Sequence, residues 1–203
     1  VTINGFQGEG STAEWIFKLV KVVTTPLEGS WSLAPEAGAL WVGDGATQWW
    51  ASSSDDVTTR ASLFDDEYIF NGDGTFKNVQ GTETWLETWQ TGVSAEGAGA
   101  PVAPHDGSNP AIFRDTTYLG VNYLAVQGLG AYVGLAKVHN TGEDGSPTSL
   151  STIFPYETEL KALDNVILYT YVMDDDGLGM TVSISGFNAS PTAAWVFKFV
   201  KNT

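Results

Sequence analysis

The chain contains no cysteine, few basic residues and no long apolar run, and each absence excludes a class of protein. Without cysteine, its 203 residues form no disulfide framework, no thiol nucleophile and no cysteine-ligated zinc or iron–sulfur site. Nine Lys and Arg residues stand against 24 Asp and Glu, for a formal net charge of -15. This charge disfavours non-specific binding to nucleic acid or anionic lipid. Because no apolar run approaches the roughly 18 residues of a membrane span, we expect no membrane insertion.

What the chain does contain is typical of an extracellular β-protein. Hydrophobic residues make up 42% and aromatic residues 12%, which excludes wholesale disorder. Charged residues amount to 16%, whereas there are 23 glycines and 8 tryptophans. We therefore expect a secreted or outer-cell-surface protein, of one large β domain or two small ones.

The two ends of the chain repeat each other. Residues 1–6 match residues 182–187, and residues 13–21 match residues 193–201. The identical positions of the first copy are Val1, Ile3, Gly5, Phe6, Ala13, Trp15, Phe17, Lys18, Val20 and Lys21. Two similar hairpins within one barrel would explain the match. We favour a tandem array with a period near 180 residues, in which residues 1–22 are the terminal hairpin of a preceding repeat and residues 23–203 a complete β module.

Alternation with period two predicts an all-β, antiparallel meander without helices. It forms a lipocalin-like barrel or a β-sandwich with long loops, and propensity leaves that choice open. Asn71–Gly74 and Asp174–Gly177 are predicted turns, 92–110 a long loop and 34–56 irregular. The predicted strands are 29–33, 61–70, 75–79, 82–90, 116–127, 130–138, 149–160, 165–173, 180–185 and 193–200.

Five tryptophans outside the clearest strands are candidate sugar-binding residues. They are Trp41, Trp49, Trp50, Trp85 and Trp89. Adjacent side chains of a strand point to opposite faces, so Trp49 and Trp50 cannot both enter one core. Indole rings stack on the apolar faces of sugars, although bulky aromatics also fill β cores. Trp15, Trp31 and Trp195 lie in alternating strands and are expected in the core.

Two further groups of residues suggest chemistry. Asp65, Asp66, Asp174 and Asp176 offer oxygen ligands for a structural Ca²⁺, although no segment matches a twelve-residue calcium loop and solvated turns are the alternative.

His105 and Asp106 lie in a Pro-rich loop with Ser108. They suggest either ligand contacts or, in a weaker hydrolase hypothesis, an oriented base. Asx-type bonds that fix the loop are the alternative. A carboxylate pair for glycoside hydrolysis cannot be assigned without geometry.

Several blocks resemble a module that is repeated in secreted and surface proteins of marine Bacteroidota. The blocks are 26–40, Trp49–Trp50, 56–68, 83–87 and 99–108. The resemblance implies a lipocalin-like fold and a non-catalytic companion of laminarinase-type glycoside hydrolases, glycan-binding surface proteins and large adhesins. Relatives often carry cysteine where this chain has Ser62 and Ala98. A disulfide that tethers the long loop is therefore missing, and we expect another clamp, such as a bound cation.

These observations predict a non-enzymatic, extracellular carbohydrate-binding module. Its partner would be a polysaccharide, a β-glucan or another marine glycan, bound through the exposed tryptophans with His105 and Asp106 nearby. The alternative is a structural or adhesive tandem repeat of a surface adhesin or filament, in which the N-terminal hairpin joins neighbouring repeats of the same protein.

Overall fold

The computed structural model describes the backbone of residues 2–4 and 14–16 and, with side chains, residues 25–140, 142–143, 145, 165–185 and 192–203. Within these ranges the elements are β1 (Thr2–Asn4), β2 (Glu14–Ile16), β3 (Gly29–Leu33), β4 (Leu40–Gly43), β5 (Gln48–Ala51), α1 (Ser54–Thr59), α2 (Ala61–Phe64), β6 (Glu67–Phe70), β7 (Thr75–Val79), β8 (Thr84–Leu86), β9 (Gly97–Gly99), β10 (Ala111–Tyr118), β11 (Val121–Gln127), β12 (Val166–Met173), β13 (Gly179–Ser185) and β14 (Ala194–Lys201). No helix in these ranges has the length and apolarity needed to cross a membrane.

Eight antiparallel strands close into a barrel. In chain order they are β3, β6, β7, β10, β11, β12, β13 and β14, and each pairs with the next. The barrel closes where β14 pairs with β3, with Phe199 opposite Leu33 and Lys201 opposite Trp31. The predicted all-β antiparallel meander is confirmed, and the structure is a lipocalin-like barrel rather than a sandwich.

The up-and-down order of the strands gives the barrel two different ends. Tight turns at 71–74, 119–120 and 174–178 gather at one end, which we call the tip end. The opposite end, the loop end, carries the β4–β5 hairpin, the two helices and the β8–β9 hairpin. Along β14, strand β4 continues the line of β3, because Leu40 pairs with Phe197 just beyond the Phe199–Leu33 pair.

The barrel interior is filled by aromatic side chains and by a buried segment, residues 131–135, which we call the plug. The Tyr68 hydroxyl donates to the Gly134 carbonyl at 2.8 Å, and the Val133 N–H donates to the Tyr169 hydroxyl at 2.9 Å. Gly134 has φ +86°, and a Cβ there would lie 2.6 Å from the Phe197 ring. The backbone at Gly134 thus lies directly against the core, and these groups occupy the space that a lipocalin-like barrel can offer to a ligand.

The N-terminal hairpin has the same strand register as the last hairpin of the barrel. In β1–β2, Thr2 pairs with Ile16, Ile3 with Trp15 and Asn4 with Glu14. The matching positions of β13–β14 pair identically: Ser183 with Val196, Ile184 with Trp195 and Ser185 with Ala194. The sequence repeat is therefore also a repeat of backbone pairing, in a separate two-stranded sheet.

Several local predictions are wrong. Residues 61–70 are not one strand, because α2 occupies Ala61–Phe64 and only Glu67–Phe70 is extended. Helix α1, which alternation did not predict, begins in a capping box: Ser53 Oγ accepts the Asp56 N–H while Asp56 accepts the Ser53 N–H.

Other corrections concern turns and loops. The predicted strand 116–127 is interrupted by the turn at Leu119–Gly120, where both residues have positive φ. Residues 130–138 were predicted as a strand from their apolar pattern. They enter the core as a loop instead. The region 34–56, predicted to be irregular, contains the strands β4 and β5. The predicted strand 149–160 lies outside the described residues.

Candidate functional site

The structure divides the five candidate tryptophans into exposed and packed groups. Trp49 is 50% exposed, and Trp41 is half-buried beside it. Trp50, Trp85 and Trp89 are also partly buried, but each packs against other aromatic or charged groups of the loop end. The side chains of Trp31 and Trp195 are buried in the core, as predicted.

Trp41 and Trp49 both lie on the outward side of the β4–β5 hairpin. Trp41 pairs with Ala51, and it alternates along β4 with the buried Val42, so it points away from the core. Trp49 is exposed at a β-bulge, because Val42 pairs with Trp50 whereas Gly43 pairs with Gln48, which leaves Trp49 as the extra residue of β5. We call these two residues the aromatic face.

The surroundings of the aromatic face suit a flat polar ligand. Among the described strands, β5 pairs with β4 alone, so its outer edge is open. Gln48 and Thr47 beside it are exposed. The turn is rigid because Asp44 Oδ1 accepts the N–H groups of Ala46 and Thr47 at 3.1 and 2.7 Å. Indole rings for stacking and polar groups for hydroxyls therefore occur together on one hairpin.

Trp50 and Trp85 are engaged by Arg60 and do not belong to the aromatic face. The Arg60 guanidinium lies 4.6 Å from the centre of the Trp85 ring and 5.6 Å from that of Trp50. Trp50 also lies 6.1 Å from the core residue Trp195. Trp49 is exposed and Trp50 packs against the core, so the two tryptophans do not both enter the core, as predicted.

Trp89 and His105 anchor the long loop. Their rings meet edge to face at 5.2 Å, and the Trp89 indole donates to Glu87 at 2.8 Å. His105 Nε2 lies 3.2 Å from the Gly145 carbonyl, to which it donates. Burial lowers the pKa of His105, although the Gly145 carbonyl and Asp106 oppose the shift. The ring is therefore neutral and held in place.

Asp106 has a separate role in the same loop. Its carboxylate accepts the Ser108 hydroxyl at 2.7 Å and the Ser108 N–H at 3.1 Å, and these bonds hold its pKa below the usual value. Ser108 donates to Asp106 rather than to His105. These two bonds form an Asx-type turn, which was the alternative to a catalytic role for Asp106.

The acidic residues are distributed over both ends of the barrel. Asp174 and Asp176 are exposed in the β12–β13 turn, as predicted, and Asp176 Oδ1 accepts the Leu178 N–H at 2.9 Å. Asp65 is exposed and lines a cleft of about 360 Å³ with Glu67 and Glu83. Within the ranges described above, no group of three or more His, Asp or Glu side chains is placed to hold a metal ion.

Asp66, the neighbour of Asp65, is 1% exposed and turns into the protein. Its Oδ2 accepts the Thr84 hydroxyl at 2.7 Å, whereas its Oδ1 has no hydrogen-bond partner. Burial raises its pKa to about 8. Asp66 is therefore a neutral buried group at neutral pH, unlike the charged carboxylates that bind Ca²⁺.

Sequence reasoning missed Arg60 and the exposed side chains of the β4–β5 turn. A single arginine between distant tryptophans has no local sequence signal, because the contacts join residues on α1–α2, β5 and β8. The turn residues Asp44 and Thr47 could have been found, since Gly-Asp-Gly between two tryptophan-containing segments is a hairpin signal.

Comparisons with known proteins give no match: no protein-family model, no curated protein and no solved structure matches the chain. Its function is therefore inferred from the geometry described above.

Proposed function

We propose that the protein is a non-catalytic carbohydrate-binding module that holds a polysaccharide on its aromatic face. The observation that supports this most is the exposure of Trp49, 50%, next to Trp41 on an outward face and an open strand edge. An exposed indole such as that of Trp49 has a cost in water that stacking on sugar C–H surface removes. The filled barrel interior favours an external ligand over one held inside.

The charge of the protein favours a neutral glycan. With a net charge of -15, the protein repels polysaccharides that carry sulfate or carboxylate groups. A β-glucan offers apolar sugar faces to the indoles and hydroxyl donors to Asp44 and Gln48 without this repulsion. The same aromatic face would then distinguish neutral from acidic chains.

Affinity-gel electrophoresis tests the proposal. We expect gels that contain a neutral β-glucan to retard the parent, and gels with a sulfated glycan not to. Trp49→Ala should abolish the retardation and Trp41→Ala reduce it by about tenfold in affinity, since an aromatic contact contributes about 1–2 kcal/mol. Leu129→Ala, which removes a 52%-exposed apolar side chain elsewhere at the loop end, is the matched control and should bind like the parent. A parent that binds no neutral glycan would refute the proposal.

A second candidate function, a structural tandem repeat, is supported by a different observation. The hairpin β1–β2 copies both the sequence and the register of β13–β14, although the barrel already contains its own closing hairpin. We propose that such hairpins belong to successive modules of one array, with glycan binding repeated along it.

Deletion of residues 1–22 tests this second candidate. If the first hairpin belongs to a different module, the shortened chain should keep the cooperative unfolding and the near-ultraviolet circular dichroism of the barrel. A shortened chain that unfolds, or loses cooperativity, would show that the hairpin stabilises this module's own core.

A further inference from the structure

The chain enters and leaves the barrel at the same end. Strand β3 begins at Gly29 and β14 ends at Lys201, and both positions lie at the tip end because Lys201 pairs with Trp31. The exit is fixed by Asn202, whose Nδ2 donates to Ser30 Oγ at 2.9 Å. Two modules that follow each other in one chain are therefore joined tip end to tip end.

The connection between them is short. In the sequence repeat, Lys21 corresponds to Lys201, the last residue of β14. Thr25 is already fixed to this barrel, because its hydroxyl donates to Asp115. Residues 22–24 alone connect the two points, and an extended chain of that length spans about 14 Å at most. The tip end of a preceding module must therefore lie close to the tip end of this one.

An apolar surface lies at this end. It consists of Tyr118, Leu119, Val121 and Val172, and we call it the tip surface. Leu119 is 86% exposed and Val172 is 68% exposed. Tyr118 and Val121, which are 38% and 41% exposed, pair with each other across the β10–β11 turn.

Register makes the tip surface continuous over three strands. Asn122 pairs with Tyr171, so Val121 and Val172 are the next positions along and face outward beside each other. Tyr118 continues this row on β10. Such a row of apolar side chains at the point where the chain enters and leaves suits contact with a like surface.

Acidic turns surround the tip surface. Asp73 and Asp174–Asp176 are exposed in neighbouring turns at the same end. When two tip ends approach, these carboxylates repel each other, and salt screens that repulsion. An apolar contact of this kind strengthens as salt rises, in contrast to a contact held by ion pairs.

We propose that the tip surface docks against the tip end of a neighbouring copy of this module. Consecutive modules then meet at their tip ends, and their loop ends, with Trp41 and Trp49, face outward. This inference rests on the tandem-repeat candidate and not on glycan binding.

Self-association of the full chain tests it. A short linker gives an effective concentration in the millimolar range, so the chain is studied at about 1 mM. Translational diffusion by nuclear magnetic resonance should show dimers at this concentration. The dimer fraction should be larger at about 1 M than at about 0.05 M sodium chloride, because the Debye length falls from more than 10 Å at the lower salt concentration to about 3 Å at the higher one. Leu119→Asp and Val172→Asp should each give monomers.

The control is Leu129→Asp, an equally polar change at an exposed apolar residue of the loop end, which should associate like the parent. A parent that remains monomeric at both salt concentrations would overturn the proposal, as would tip-surface variants that associate like the parent, or a control that dissociates with them. Trp49→Ala should leave association intact and Leu119→Asp should leave glycan retardation intact, so the two proposals fail separately.

Discussion

Asp66 shows how one buried residue couples stability to pH. It is 1% exposed, and burial raises its pKa to about 8 from the usual value of 3.8. Between these two values the folded protein keeps a proton on Asp66 that the unfolded chain releases. The free energy of unfolding therefore falls as pH rises through this window, and it becomes independent of Asp66 above about pH 8.

We predict that Asp66→Asn removes this dependence. The amide is neutral at every pH and can still accept the Thr84 hydroxyl. The variant should be more stable than the parent at pH 9 by a few kcal/mol, since one pKa unit corresponds to about 1.4 kcal/mol, and similar to it at pH 4. Urea unfolding at both pH values measures the difference. Asp175→Asn, at an exposed position of the β12–β13 turn, is the control, and parallel profiles of Asp66→Asn and the parent would contradict the assignment.

At the scale of the elements, Arg60 joins parts of the loop end that are far apart in sequence. It follows α1, forms an ion pair with Asp56 at 3.6 Å and lies between Trp50 of β5 and Trp85 of β8. Ser62 is on α2, and Ala98 is on β9, which pairs with β8. Arg60 thus connects the junction of α1 and α2 to the β4–β5 and β8–β9 hairpins.

We predict that Arg60→Ala destabilises the protein by about 1–2 kcal/mol, the range of a desolvated cation–π contact. Trp50 and Trp85 should also become more accessible to acrylamide, because the side chain that covers both rings is removed. Denaturant unfolding and fluorescence quenching measure the two effects. Arg114→Ala removes an exposed arginine of β10 and should change stability by less than about 0.5 kcal/mol. Equal effects of the two substitutions would contradict the role of Arg60.

Across the whole molecule, the sequence predicted what depends on local pattern. Alternation predicts β3, β7, β12, β13 and β14, and Asn71–Gly74 predicts a hairpin turn, because these signals depend on neighbouring residues. Strand geometry also predicted that Trp49 and Trp50 do not both enter the core, but not the β-bulge at Trp49.

What could not be predicted depends on contacts across the barrel. The plug has the composition of a strand because it is buried, yet its backbone bonds to Tyr169 and Asn78 instead of to a neighbouring strand. The choice of Trp41 and Trp49 over Trp50 and Trp85 depends on register and on Arg60, which lies ten residues beyond Trp50 in the sequence. Closure of the barrel depends on pairing between β3 and β14, almost the full chain apart.

In an array whose modules meet at their tip ends, every aromatic face points outward. If both proposals hold, several weak sites on one chain would bind one polysaccharide with an avidity that exceeds that of any single site, provided that the glycan spans them. The strong acidity of each module suits this arrangement in a saline setting, where repulsion between modules is screened.

The central claim, that the aromatic face binds a glycan, is tested most directly by acrylamide quenching of tryptophan fluorescence with and without a neutral β-glucan. Trp49 is half exposed, whereas Trp31 is fully buried, so the accessible fraction of the parent's fluorescence should come largely from the aromatic face. We predict that the glycan protects this fraction in the parent and in Leu129→Ala, and that Trp49→Ala has a smaller accessible fraction that the glycan does not protect. Quenching of the parent that is the same with and without glycan would contradict the account.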